Sequence, residues 1–312
     1  MMLRKLVGVT ALLAAWMGMA GTVHTYTTAQ TVDEVISGDD SVVVSCPAGS
    51  VVVFTGANTF TGGTTINSGG VEIANRSALG TGAINCASGT YVNVSVSWRG
   101  QATTLTEDVI SKIVVAQPAV GEPWVAMRLT DNGLKNDVDF TGQPHLWLCG
   151  LEQKTTSSHK ILQGIYEPCN NRYQFGYGGT QYNASYTGIC VTNLVDAPNG
   201  DSRSVLCRGK GTTTFRSDLS GCKITFTGPI VAEDGAYFAA NGNGAFGATK
   251  STPSPKLVLR EGSLYRICAA NVSHNENFGL VVEGSATMHI CGATPAEVYE
   301  TFKGPFLSLI HI

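Results

Sequence analysis

Near its front the chain falls into short apolar runs separated by glycine, asparagine, serine and threonine, with no helical period. Gly49-Ser50-Val51-Val52-Val53, Gly69-Gly70-Val71-Glu72-Ile73 and Gly89-Thr90-Tyr91-Val92-Asn93 each read as a turn leading into a strand, and their leading glycines lie 20 residues apart, twice over. A fixed period of that size predicts a solenoid, in which each unit buries its apolar face only by stacking on the next. Glycine suits the corner because it accepts positive φ without strain. Positions two and four after the corner would place Val51 and Val53 inward but would also bury Arg266, and a one-residue slip exchanges the two faces.

Cysteines bear on the same stacking. Cys46 and Cys86 each precede a repeat glycine by three residues, with Ile66 at the matching place between them. Two coils apart, they would be separated by roughly twice 4.8 Å, beyond the ~7 Å Cα separation a disulfide tolerates. An unbridged, inward Cys46-Ile66-Cys86 ladder is therefore expected. Nine cysteines leave at least one unpaired; Cys268 and Cys291, six and seven residues after Gly262 and Gly284, could bridge adjacent coils or stack as small hydrophobes.

Between about residues 98 and 186 the period fades, as irregular coils or as an insertion, with irregular coils preferred. Thr106–Gln117 is a strand with a turn or a short helix; His145–Cys149 reads as a buried strand. The pattern returns near Asn193. Lys223–Gly228 echoes Val51–Gly56, and Gly235-Ala236-Tyr237-Phe238 echoes Gly70–Ile73; Gly262 and Gly284 open two further corners.

Composition agrees with many turns and few helices: 14% of residues are charged against about 25% in average domains, and 37 of 312 are glycine. A net charge of −3 without a basic stripe argues against nucleic-acid binding. At the N-terminus, Arg4 and Lys5, the apolar run Leu6–Ala20 and the small residues Gly18 and Ala20 read as a signal peptide, residues 1–20, shorter than a membrane span. Residues 21–306 form the expected solenoid of at most about 14 coils. Leu307–Ile312 resembles a translated sequencing adapter, so the natural protein is expected to continue past Phe306.

Chemistry finds little foothold. Asp131, Asp137 and Asp139 could offer oxygen ligands to Ca²⁺, but their spacing matches no EF-hand, and acids in turns are ordinarily solvated. His145, His159, His274 and His289 lack zinc spacing. No paired carboxylates, nucleophile elbow or phosphate loop stands out, so no catalytic, cofactor or metal residues are assigned. Tyr166, Tyr173, Tyr177, Tyr182 and Tyr186 crowd one stretch, either as a coil's core or as stacking faces for sugar rings.

The segment Phe54-Thr55-Gly56-Ala57-Asn58-Thr59-Phe60-Thr61-Gly62-Gly63-Thr64-Thr65, followed by Gly69–Ile73 and Ala78-Leu79-Gly80, resembles the autotransporter-associated β-strand repeat of secreted passenger proteins from Gram-negative and related bacteria. The resemblance covers about a tenth of the chain. It implies an all-β, right-handed parallel β-helix with irregular loops, exported to the cell surface or beyond. Adhesion or display would be its role, with surface glycans or a neighbouring cell as partners. The other reading is a carbohydrate-active β-helix enzyme, a lyase or hydrolase.

Overall fold

The computed structural model describes residues 21–94, 109–130, 137–150, 160–162, 164–177, 188–209, 211–216, 221–241, 257–268, 278–291, 298–303 and 306–310. Strands follow one another coil by coil. The first four coils hold two strands each: β1 (Val23–Tyr26) and β2 (Gln30–Val32), β3 (Ser41–Ser45) and β4 (Val51–Phe54), β5 (Thr64–Ser68) and β6 (Gly70–Ile73), β7 (Ile84–Cys86) and β8 (Thr90–Val94). The next four hold three: β9 (Ile113–Val115), β10 (Val125–Leu129) and β11 (Val138–Asp139); β12 (Leu146–Gly150), β13 (Lys160–Leu162) and β14 (Tyr166–Glu167); β15 (Arg172–Gly176), β16 (Gly188–Val191) and β17 (Asn193–Leu194); β18 (Ser204–Arg208), β19 (Thr212–Arg216) and β20 (Lys223–Ile224). Three pairs follow: β21 (Ile230–Glu233) and β22 (Tyr237–Asn241), β23 (Leu257–Arg260) and β24 (Leu264–Cys268), β25 (Phe278–Glu283) and β26 (Ser285–Cys291). The chain then reverses into β27 (Val298–Lys303) and β28 (Phe306–Ile310).

The result is a parallel β-solenoid. One sheet runs its whole length in the order β2-β4-β6-β8-β10-β12-β15-β18-β21-β23-β25, and β28 adds to it antiparallel. A five-stranded sheet, β1-β3-β5-β7-β9, supplies the strand before each long-sheet strand in the first five coils. A seven-stranded sheet, β13-β16-β19-β22-β24-β26-β27, supplies the strand after it from β13 onward. From the irregular stretch, β9, β10, β12, β13 and β15 occupy rungs of these same sheets, whereas β11 and β14 pair in a two-stranded sheet of their own.

The repeat glycines do turn corners: Gly49, Gly69 and Gly89 all have positive φ, at 84°, 69° and 87°. Their column is displaced by one residue in the middle, because Val52 lies over Val71 and Val71 over Val92, steps of 19 and 21. A side chain at Gly70 would put its Cβ 2.8 Å from that of Tyr91, so the tight rung requires glycine there. The facing is the reverse of the expectation after Gly49. Val52 and Phe54 are buried, whereas Val51 and Val53 are partly exposed. Tyr265, at the third position after Gly262, is buried likewise.

Cys46 and Cys86 are free and buried, as expected. The ladder, however, is Val44-Ile66-Cys86, because a bulge between Val44 and Ser45 shifts the register before Cys46. The later echoes are also corrected. Lys223–Ile224 pairs with β17 in a two-stranded sheet, not with the long sheet. Gly235 and Gly262 lead out of long-sheet strands into the seven-stranded sheet, so they form a second corner column.

Asn58 shows what the repeat motif does. It is buried between three coils, accepting from the Ile36 amide at 2.8 Å and donating to the Ala78 carbonyl at 2.6 Å. Its neighbours are glycines because carbonyls of adjacent coils press close. A Cβ at Gly56 would meet the Glu34 oxygen at 2.6 Å, and one at Gly80 the Phe60 oxygen at 2.4 Å.

Interior filling changes along the axis. The first four coils enclose mainly Val and Ile, with Phe54 and Phe60. Higher up, steps lengthen to 32 residues from Arg172 to Ser204 and 25 from Val205 to Ile230. There the core is aromatic: Phe215 packs on Phe175, Phe226 and Phe238 with centroids 6.1, 6.0 and 4.9 Å away. Larger cross-sections need larger side chains to stay densely packed. Tyr166 and Tyr173 join this core, so the tyrosine cluster is in part a core cluster.

Candidate functional site

On a parallel strand alternate side chains face out, so stacked coils turn outward residues into columns. Two such columns on the long sheet build the candidate site. One runs Gln174-Leu206-Val231-Val258-Val281 and forms a mostly apolar floor. The next runs Gly176-Arg208-Glu233 and continues through Arg260 opposite Glu283. Its charges alternate in sign and pair along the axis. Arg208 Nε donates to Glu233 Oε1 at 2.7 Å, Arg260 Nη1 to Glu233 Oε2 at 2.6 Å and Arg260 Nε to Glu283 Oε2 at 2.9 Å. Glu233, 9% exposed, is thus held by an arginine on either side.

Beside the ladder lies a groove of about 380 Å³. Arg208, Glu233 and Arg260 form one wall; His145, Arg172 and Pro229 contribute to the opposite side, with Trp147 at one end. From β12 to β23 it crosses four steps, roughly 19 Å. Gln174 is fixed in place, its amide donating to the carbonyls of Pro144 and Leu146 at 3.1 and 3.3 Å and its Oε1 accepting from Arg172 at 3.0 Å.

One end of the groove is lined by Glu122 and Pro123 of the segment 116–124, which leads from β9 into β10. Its Glu122 reaches Arg208, 86 residues away in sequence and three coils further along the axis, and pairs with Nη1. Hydrogen bonding to Arg208 lowers the Glu122 pKa, and the charges of Arg208, Arg172 and His145 act in the same direction. Next to Glu122, Trp124 stacks face to face on Tyr177 at 4.1 Å, and Trp147 meets the same ring edge-on at 5.1 Å. Tyr177 takes a positive φ of 58°, a strained conformation for an aromatic residue. Burial pushes its phenol upward in pKa.

Searches with this chain match no family model, no curated protein and no solved structure. The site must be read from its own chemistry.

The residues weighed from the sequence are scattered. Asp137 accepts from the Ile165 amide of the next coil and Asp139 from the Thr141 amide in its own turn, both at 2.8 Å. Asp131 lies outside the described residues, among which no cluster able to hold a metal ion occurs. His145 lines the groove; His159 and His274 fall outside the described residues, and His289 is placed only as part of β26. Of the clustered tyrosines, Tyr177 joins the aromatic group beside the groove, and Tyr182 and Tyr186 fall outside the described residues. The register sets Cys268 directly opposite Cys291. Cys86, Cys149 and Cys207 are buried thiols pushed up to about 12, which keeps them from acting as nucleophiles. The arginine–glutamate ladder and Glu122 were missed because their spacings follow no period. Alternating sign at Arg208, Glu233, Arg260 and Glu283 is the one signal that could have revealed the ladder.

No helix among the described residues is long and apolar enough to cross a membrane.

Proposed function

We propose that the chain is an exported passenger-type β-solenoid that acts at the cell surface as an adhesin, holding a surface glycan in the groove on its long sheet. The observation that carries this reading is the groove itself, with an apolar floor between walls of arginine, glutamate and histidine. Sugar rings are amphipathic in the same way, with C–H faces for the floor and hydroxyls for the walls. The N-terminal leader and the resemblance to the autotransporter-associated repeat supply the cell-surface setting. Binding is favoured over cleavage because the groove's two glutamates are engaged by arginine. Glu122 and Glu233 are ion-paired with arginine, whereas a general acid must keep its proton.

The test is saturable binding of the purified full chain to immobilised cell-surface polysaccharides, compared with Val231→Trp, which fills the floor. Binding that the substitution abolishes supports the reading. No binding to any polysaccharide, or binding indifferent to Val231→Trp, overturns it.

A further inference from the structure

The protein itself shows what the Glu122 end of the groove accepts. Glu122 sits on an exposed connection, its side chain 75% exposed, yet its carboxylate is drawn in among Arg208, Arg172 and His145. Arg208 does not depend on it, since Glu233 and, at 3.2 Å, Asp234 also face that guanidinium. On the other side, the polar contact made by the Arg172 guanidinium among the described residues is a neutral one, to Gln174 Oε1. Arg208, Arg172 and His145 thus surround a position held by Glu122, a side chain that could swing into solvent at little cost, because exposed ion pairs contribute little to stability.

The geometry points to a carboxylate subsite at this end of the groove, in which Glu122 is a built-in competitor for the carboxylate of an acidic, uronate-bearing glycan. A ligand carboxylate would take the place of Glu122 on Arg208 Nη1 and gain Arg172 as a second partner. Guanidinium groups favour carboxylates through paired, charge-assisted hydrogen bonds. The sugar ring would extend from there over Leu206 and Val231. No covalent step is involved. The device sets a threshold: neutral glycans meet only the floor and walls, while acidic ones must first displace Glu122.

This inference rests on the groove being a glycan site, and the experiment separates the two. Binding of a short uronic-acid oligosaccharide and of its neutral hexose counterpart is measured by calorimetry on the full chain, Glu122→Gln, Arg172→Gln and the double variant. Glu122→Gln is expected to tighten the acidic ligand about fivefold while leaving the neutral one unchanged. Arg172→Gln should weaken the acidic ligand more than the neutral one, and the double variant should lose the gain. Acidic binding unchanged or weakened by Glu122→Gln overturns the inference even if the neutral sugar still binds in the groove. Failure of both sugars in every variant overturns the glycan reading beneath it. Binding of an acidic peptide but neither sugar, with the same response to Glu122→Gln, refutes the glycan class.

Discussion

The first four coils and the coils from β15 upward solve the same stacking problem with different materials. Below, short steps of about twenty residues are cornered by glycine, filled by Val and Ile, and stitched across coils by Asn58. Above, longer steps are filled by Phe and Tyr, and charge pairs run up the outer face. A short coil leaves little for its outer face beyond the bends. A long coil has residues to spare, and it is there that the groove forms. Regularity and the groove are thus separated along one axis.

The sharpest way to break this contrast is to empty the aromatic core. Phe215→Ala should cost about 4 kcal/mol in urea unfolding, since Phe215 is fully buried among three phenylalanines; a loss below about 1 kcal/mol would mean that the upper coils are not tightly filled. Next comes the stitch below. Asn58→Leu leaves the Ile36 amide and the Ala78 carbonyl without their buried partner and is expected to cost about 3 kcal/mol. If the loss is confined to the lower coils, hydrogen exchange should speed up around β4 to β6 while the strands from β18 onward stay protected.

Smaller is the outer ladder. Glu233→Gln removes the charge shared by Arg208 and Arg260 and should lower stability by about 1–2 kcal/mol. That difference should shrink in high salt, because Arg260 is 46% exposed. A variant as stable as the parent at low salt would make the ladder decorative. The weakest handle is at the base of the solenoid, where Asp40 accepts from His24 and from the Thr22 amide. Both bonds, the histidine's first, lower the Asp40 pKa. A depressed carboxylate stabilises the fold above the unfolded-state value and loses that contribution as pH falls through the folded-state value. Stability should therefore decline below about pH 4, with a shallower acid limb in Asp40→Asn. An identical acid limb in thermal melts at stepped pH would remove Asp40 from the account.

How much of this was legible follows the same division. Corner glycines, stacked strands and unbridged Cys46 and Cys86 could be read because backbone geometry forces them. The slip at Gly69 could not, since Gly69 and Gly70 can both turn a corner and only the close approach of Tyr91 decides between them. Nor could the bulge at Val44, which moves Cys46 off its ladder. The groove was invisible for another reason. Glu122 and Arg208 meet across 86 residues through loops of unequal length, and no local pattern encodes the meeting. His145 was noticed but weighed for zinc, and only the third dimension sets it beside Arg172.

The alternating ladder also constrains how such a protein can grow by tandem duplication. Inserting one extra coil between β18 and β25, copied from its neighbour, would set arginine against arginine or glutamate against glutamate, and like charges facing across adjacent strands repel. Copying two adjacent coils together keeps plus against minus throughout. Along this part of the axis the unit of heredity compatible with the fold is a pair of coils, even though the unit of structure is one.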